Sequence, residues 1–351
     1  IGIETASVFK RAAMSYLRLE AGALGETITR WPRDTQFFSS PEWIAIAGVP
    51  IQTRGQEIVT GELYLAYLRQ VVEIFDLEIR TYERVTAVAG SLGDFRVTTY
   101  DLAGAEHSYL SRTVVLATGD MNRPRRIGVP GEDLPHVSHY WSSPHRYFQR
   151  RLLIVGGRNS AVEAALRCWR AGVRVAITYR GAALDEKRLI SRLHLEIDLL
   201  IRNGQVDFYP LTAPVEFRRG RTVLRGVESG ESEEVDTDFV YLATGFEMDQ
   251  SLYASLGVAT EGEEKRPVHD PATMESNVRG VYIVGTSIGG NQRGYKVFIT
   301  TSHVHCVRAA RAIMTSISER TGESRDATVV SDSWVGNHRS RDYPLSSKDV
   351  E

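Results

Sequence analysis

RRLLIVGGRNSAVEAALRCWRAGVRVAITYR, residues Arg150–Arg180, is the stretch that decides the fold. It opens on an apolar run, Leu152–Val155, and reaches a tight Gly156-Gly157 turn. A helix beginning near Ser160 then sets Val162, Ala165, Leu166 and Trp169 on one face, and a second strand, Val173–Tyr179, closes the unit. That succession is a βαβ unit. Its glycines let the backbone approach a pyrophosphate, and the helix start offers free N–H groups and the positive end of its dipole. Against the pattern G-x-G-x-x-A the turn reads Gly156, Gly157, Arg158, Asn159, Ser160, Ala161, with Arg158 in the second glycine's place. An acid at the end of the second strand would pair with a free ribose diol. Here the strand ends in Arg180, which, helped by Lys187 or Arg188, suits the extra phosphate of NADP. The unit therefore reads as an NADPH site, the competing reading being a βαβ unit of some other open sheet with an accidental Gly-Gly turn.

Composition sets the frame around it. At 351 residues the chain exceeds a usual single core, so two domains are expected. With 42% hydrophobic and 25% charged residues it has globular composition, and a net charge of -2 gives no electrostatic case for nucleic acid or an anionic membrane. Apolar runs fall short of a bilayer span, and no signal peptide is visible. Two cysteines, Cys168 and Cys306, argue against a disulfide framework and for a reducing cytoplasm, and no cluster has metal-ligand spacing.

A second, partial unit stands at the front. Gly2 to Met14 reads as a helix and Ser15–Glu20 as a strand ending in an acid, so Gly2 takes the third glycine's place and Glu20 that of the ribose-binding carboxylate. The first strand and first two glycines would precede Ile1, and truncation of the given sequence is the expectation. Alternating short strands follow each βαβ unit: Val85–Val88, Phe95–Thr99 and Thr113–Ala117 after the first, Val215–Arg218, Thr222–Arg225 and Phe239–Ala243 after the second. Each series closes on the same tetrapeptide, Leu116-Ala117-Thr118-Gly119 and Leu242-Ala243-Thr244-Gly245. This is an internal repeat of two dinucleotide-binding domains.

Two such domains in one chain fit electron transfer from a nicotinamide to a flavin, with FAD in the acid-ended domain and NADPH in the arginine-ended one. After a charged second linker, Gly280–Gly285 reads as a buried strand, and a helical stretch from about Tyr295 to Ser318 places Ile299, Cys306, Ala310 and Ile313 on one face. The returning strand and helix complete the interrupted first domain. The expected architecture is α/β, with two Rossmann-like domains, the second inserted in the first, each carrying a small β-meander. Its parts are 1–145 and 269–322 for FAD, 146–268 for NADPH, and a polar tail, 323–351, in which Trp334 and Tyr343 leave open an arm packing on a neighbour.

Glu20, the two LATG segments, the GGRNSA turn and the GVYIVG strand together resemble the flavoprotein superfamily of thioredoxin reductases and flavin-containing monooxygenases. Phe37–Ile51 (FFSSPEWIAIAGVPI), His139–Phe148 (HYWSSPHRYF) and Ile154–Gly172 are similar to its bacillithiol-disulfide reductase branch. The resemblance implies that Gly2, Glu20, Val85, Ala117, Thr118, Gly119, Gly285 and Thr286 contact FAD, with Gly285 and Thr286 near its pyrophosphate or ribityl chain. It implies that Gly156, Gly157, Arg158, Asn159, Ser160, Ala161, Arg180, Thr244 and Gly245 hold NADPH. Thr286 stands where the wider superfamily commonly has Asp. The resemblance also implies a homo-oligomer and a small electron acceptor, a low-molecular-weight disulfide such as bacillithiol disulfide.

The branch typically places a cysteine just before the third fingerprint glycine, where this chain has Ile1, and the C-x-x-C of thioredoxin reductases is absent. Cys168 and Cys306 read as buried packing residues, and His303 and His305, two apart on a helix, as packing or surface residues. Phe37, Phe38 and Trp31 lie in the stretch expected to wrap the flavin, or are simply core. Two alternatives remain in view. One is a flavin monooxygenase, on the partial likeness of the linker around His139, although His136, His139 and His145 read better as hinge-loop residues. The other is a non-catalytic nucleotide-binding redox sensor.

Overall fold

The computed structural model describes residues 1–336 except 293, 295 and 323–325. Tyr343 lies outside the described residues. The chain divides into two compact units: the first is built from Ile1–Thr29, Asp34–Arg123 and the chain from Phe246 on, the second from Arg30–Arg33 and Pro124–Gly245. The longer helices are α1 (Gly2–Arg11), α2 (Gly61–Ile74), α3 (Asn159–Arg170), α4 (Ser191–Arg202) and α5 (Ile299–Thr321).

The second unit shows why the opening stretch is decisive. Arg151–Val155 lies inside a five-stranded parallel sheet, between Arg174–Tyr179 and Phe239–Leu242, with Asp207–Pro210 and Val137–Ser138 at the edges. A strand covered on both faces needs apolar residues at every position rather than at alternate ones. Leu152 and Ile154 join the core under α3 and α4, while Leu153 and Val155 join a separate core with Phe217, Leu224 and Val235. The latter belong to an antiparallel meander, Thr212–Arg218, Arg221–Gly226 and Ser232–Asp236. On α3 the buried face is Ala161, Val162, Ala165, Leu166 and Cys168. Each fully buried Leu or Ile here contributes about 1.5–3 kcal/mol relative to exposure.

The first unit repeats these parts with differences. Its meander is Arg84–Ser91, Asp94–Tyr100 and Glu106–Ser111. The outer strands Glu106–Ser111 and Ser232–Asp236 escaped the sequence reading because charged and polar residues dominate them. Arg18–Leu19 pairs in parallel with Ile79–Arg80, and Val114–Leu116 with Val281–Ile283, as separate two-stranded sheets. Among the described residues no strand of this unit corresponds to Arg151–Val155. The strand expected over Ser15–Glu20 is accordingly only Arg18–Leu19, laddered on one side. The late helix starts at Ile299, later than expected, because the Thr301 hydroxyl accepts from the Phe298 N–H (3.0 Å) and fixes the first turn there. Cys306, Ala310 and Ile313 are buried as read, Ile299 only in part. Residues Asp326–Gly336 pack on their own unit: Val330 and Val335 enter the core, and the Arg11 guanidinium sits 4.7 Å from the Trp334 ring centre.

A buried carboxylate fastens these pieces. Glu4 of α1, fully buried, accepts at Oε1 from the N–H groups of Ala47 (2.9 Å) and Gly336 (2.7 Å) and at Oε2 from His303 Nδ1 (2.8 Å). His303 Nε2 faces the Trp43 carbonyl at 3.0 Å, so both ring nitrogens meet acceptors and the imidazolium form is favoured. Burial opposes both charges, but His303, the Ile1 amine and the Ala47 N–H together more than offset it and hold the Glu4 carboxyl below its ordinary range, while Glu4 and the Trp43 carbonyl raise His303. A depressed Glu4 contributes stability above the unfolded carboxylate value, lost as pH falls through its folded pKa. A raised His303 contributes below the unfolded imidazole value, lost as pH rises through its folded pKa. Thermal melts across pH should therefore peak between those limits, and Glu4→Ala should cost about 3–5 kcal/mol and flatten the profile. An unchanged profile in the variant would remove the pair from this role.

Candidate functional site

In the second unit the Gly156-Gly157 turn is locked by close approach. Gly156 has φ +142, and a Cβ there would lie 2.6 Å from the Ala243 carbonyl oxygen; one on Gly157 would lie 2.6 Å from the Tyr179 ring. Sterics thus bring the turn against the second LATG segment, whose Thr244 hydroxyl donates to the Arg125 carbonyl at 2.6 Å. The helix starts at Asn159, with Arg158 extended at the capping position, so the first-turn N–H groups lack intrahelical acceptors. Asn159 uses its side-chain oxygen on the Ile190 N–H (3.0 Å), leaving its backbone for a ligand. Ala161 is buried, the small residue that close helix–strand packing requires, and Ser160 is exposed. Arg180 is exposed and forms no hydrogen bond or ion pair among the described residues. Arg188 is paired with Asp185 at 3.1 Å, so of its two proposed helpers Lys187 is the one with an uncommitted charge. A glycine cradle at a helix start with an unpartnered guanidinium beyond the next strand fits a dinucleotide with an extra phosphate.

In the first unit three chain segments meet at the start of α1. A Cβ on Gly2 would lie 3.3 Å from Arg18 Nη2 and 3.4 Å from the Ala117 Cβ, and one on Gly285, at φ +81, 3.2 Å from the Ile1 Cβ. Arg18 Nη1 is buried without a hydrogen-bond partner. Glu20 is half-buried, one oxygen accepting from the Gly22 N–H (3.3 Å) and the other 3.6 Å from Arg18 Nη2. A donor without an acceptor beside a helix N-terminus, with a carboxylate two residues on, fits an anionic nucleotide bearing a diol, as FAD does. Arg18 escaped the sequence reading, although i and i+2 of a strand share a face and placed it beside Glu20.

Around this point the LATG segment is tied to the turn Gly285–Gly289. The Thr118 hydroxyl lies 2.8 Å from that of the fully buried Tyr253, which also bonds Ser287. The Gly285 N–H donates to His305 Nδ1 (3.2 Å), and burial lowers that imidazole to about 4, so His305 stays neutral. Val85 packs on the Phe95 and Tyr253 core. Phe37 is core against Tyr64, with ring centres 4.7 Å apart, whereas Phe38 is exposed and Trp31 belongs to the other unit. In the second unit His136 Nε2 meets the Arg218 carbonyl (3.1 Å), and His139 Nε2 lies 3.0 Å from Glu132. A cavity of about 450 Å³ opens beside the turn in the first unit, its lining mixing Arg266, Lys296 and His269 with Glu261 and Glu264.

The model of the pyridine nucleotide-disulphide oxidoreductase family matches residues 1–285. This chain belongs to that family. It is similar to the bacilliredoxin reductase of Bacillus subtilis (strain 168), 31% identical over 87% of this chain and 91% of the relative. It is also similar to the solved bacillithiol disulfide reductase of Bacillus cereus, with TM-score 0.83 and 29% identity over 90% of this chain and 95% of that one. A solved thioredoxin reductase of T. acidophilum, 18% identical with TM-score 0.66 over 91% and 94% of the two chains, shows the fold alone. This member of the oxidoreductase family is an FAD- and NADPH-dependent enzyme, which sets aside the non-catalytic sensor. No helix among its described residues is long and apolar enough to cross a membrane. Both cysteines are buried: burial pushes the Cys168 thiol up to about 11 and the Cys306 thiol well up.

If Arg180 reads the extra phosphate, Arg180→Ala should lower kcat/KM for NADPH about 10- to 100-fold and leave NADH nearly unchanged. Steady-state kinetics with both nucleotides checks this, and equal losses would remove Arg180 from that role.

Proposed function

We propose that this flavoenzyme carries electrons from NADPH to a low-molecular-weight disulfide, bacillithiol disulfide or a close chemical relative, in a reducing cytoplasm. The observation that supports this most is 31% identity, over 87% of the chain, to a relative named as a bacilliredoxin reductase, joined by the likeness to a solved bacillithiol disulfide reductase. When bound, FAD supplies a two-electron relay, so that NADPH, one disulfide and one proton yield NADP⁺ and two thiols.

The protein's share is binding and positioning. Gly156, Gly157 and the start of α3 hold the NADPH diphosphate, with Thr244 and Gly245 beside them and Arg180 on the extra phosphate. Gly2, Arg18, Glu20, the Ala117-Thr118-Gly119 segment and Gly285-Thr286 hold the flavin nucleotide. A lining of both charge signs in the first unit's cavity favours a small acceptor that itself carries charge. Neither Cys168 nor Cys306 enters the reaction, because a buried thiol with a raised pKa is neither a nucleophile nor reachable.

An anaerobic titration tests this reading. NADPH should bleach the visible flavin absorbance and bacillithiol disulfide should restore it, with turnover unaffected by prior iodoacetamide treatment of the native protein. Bleaching that only air reverses, with a persistent oxygenated flavin, would replace the reductase by a monooxygenase. Inactivation by the alkylating reagent would return a cysteine to the mechanism.

A further inference from the structure

We infer that Tyr109, on the outer strand of the first unit's meander, is a positioning residue that sets Glu20 for the adenosine ribose of FAD. This rests on the proposed place of FAD in the first unit.

Glu20 is held from outside its own strand. The turn Arg80–Glu83 takes both of its backbone groups: the Glu20 N–H donates to the Arg80 carbonyl and the Glu83 N–H to the Glu20 carbonyl, each at 2.9 Å. The Tyr82 N–H donates to the Gly22 carbonyl at 3.1 Å, so the same turn fixes the residues just after the carboxylate. The turn itself is unfavourable, because Tyr82 has φ +56, where an aromatic residue is disfavoured. Such a turn persists when its surroundings over-determine it.

Tyr109 supplies that constraint. Its hydroxyl donates to Glu83 Oε1 at 2.7 Å and accepts from Arg80 Nη1 at 2.5 Å, and the Arg80 guanidinium lies 5.1 Å from the centre of its ring. One hydroxyl thus joins the side chains of the two residues whose backbones hold Glu20. Glu83 is only 6% exposed, and the same oxygen accepts from the fully buried Thr99 at 2.6 Å. Register explains the meeting: Val85 pairs with Thr99 and Val97 with Tyr109, which puts Thr99 and Tyr109 on one face of the meander at the end where Glu83 enters it. A guanidinium only donates and an ionised carboxylate only accepts, so the phenol between them must do one of each, which no Phe can copy.

The internal repeat supplies a control. In the matching turn of the second unit Leu211 has φ +54, and its N–H donates to the Gly181 carbonyl (3.1 Å), just beyond Arg180. That turn is fixed by Thr212, whose hydroxyl donates to the Tyr209 carbonyl (2.7 Å) and lies 2.8 Å from that of Thr178. Among the described residues no hydrogen bond joins it to the outer strand Ser232–Asp236. The backbone turn therefore does not require a side chain from the outer strand, and one reaches it in the unit whose second strand ends in an acid.

The test is flavin affinity of the full chain stripped of flavin, read by flavin fluorescence with FAD and with FMN, which lacks the adenosine. Tyr109→Phe should raise the Kd for FAD about five- to tenfold and leave that for FMN unchanged. Arg80→Met, which removes the other end of the relay at an exposed side chain, should act in the same direction and carries the test if Tyr109→Phe fails to fold. Glu20→Ala should lose at least as much FAD affinity, and adding Tyr109→Phe to it should cost nothing more, because both act on one carboxylate. Full FAD affinity in Tyr109→Phe or Arg80→Met would overturn the inference. So would an equal loss for FMN, or additive losses in the double variant, since either would make Tyr109 a support of the fold at large. The double-variant comparison decides the matter if FMN binds too weakly to measure. Full FAD affinity in Glu20→Ala would instead sink the assignment of the ribose to Glu20, a result distinct from the others.

Discussion

The contact between Gly156 and the Ala243 carbonyl sets the geometry of the turn on which the second unit's candidate site depends. No Cβ fits there, since it would stand 2.6 Å from that oxygen, so only glycine lets the strand Arg151–Val155 turn into α3 while its neighbour Phe239–Leu242 stays in register. The turn then presents unpaired N–H groups at the mouth of a parallel sheet, where ligands of this architecture bind. The two-sided burial of Leu152–Val155 anchors the strand and so fixes where the turn stands. Binding geometry here is a consequence of packing.

Each unit has a glycine at a helix start, Gly2 in the first and Gly156-Gly157 in the second, and the charge nearby differs. One ends its second strand near Glu20, half-buried beside Arg18; the other ends in Arg180, exposed and unpaired among the described residues. A carboxylate suits a diol and a free guanidinium suits a phosphate, which is the basis for the proposed assignment of the two nucleotides. The shared LATG tetrapeptide is wired differently as well: Thr244 is spent on a backbone carbonyl, Thr118 on the buried Tyr253.

Much of this was legible in the sequence because period and turn chemistry carry it. The apolar run, the Gly-Gly turn, the helix with its buried alanines and the repeat of LATG all follow from local rules. What sequence could not supply are pairings between distant positions. Glu4 with His303 and Gly336, Asp120 with Gln292, and His305 with the Gly285 N–H join residues that no spacing relates. The polar outer strands of the meanders were missed for the converse reason, since an edge strand needs a partner's backbone more than an apolar pattern. His303 and His305 were read as packing or surface residues, yet His303 pairs with the buried carboxylate of Glu4.

Glu4 draws hydrogen bonds from α1's own neighbourhood at Ala47, from α5 at His303 and from the chain at Gly336, 332 residues away. During synthesis the second unit is nearly contiguous and can close its core once Gly245 has emerged. The first unit cannot: α1, made before the second unit, waits for α5 and for Gly336 before its carboxylate is satisfied. Between the synthesis of Gly245 and that of Gly336, then, the first unit is still incomplete while the second has all its residues. Its folding is set by the ribosome's progress to the last described residues, and this half of the molecule is the one that calls for protection while the chain is being made.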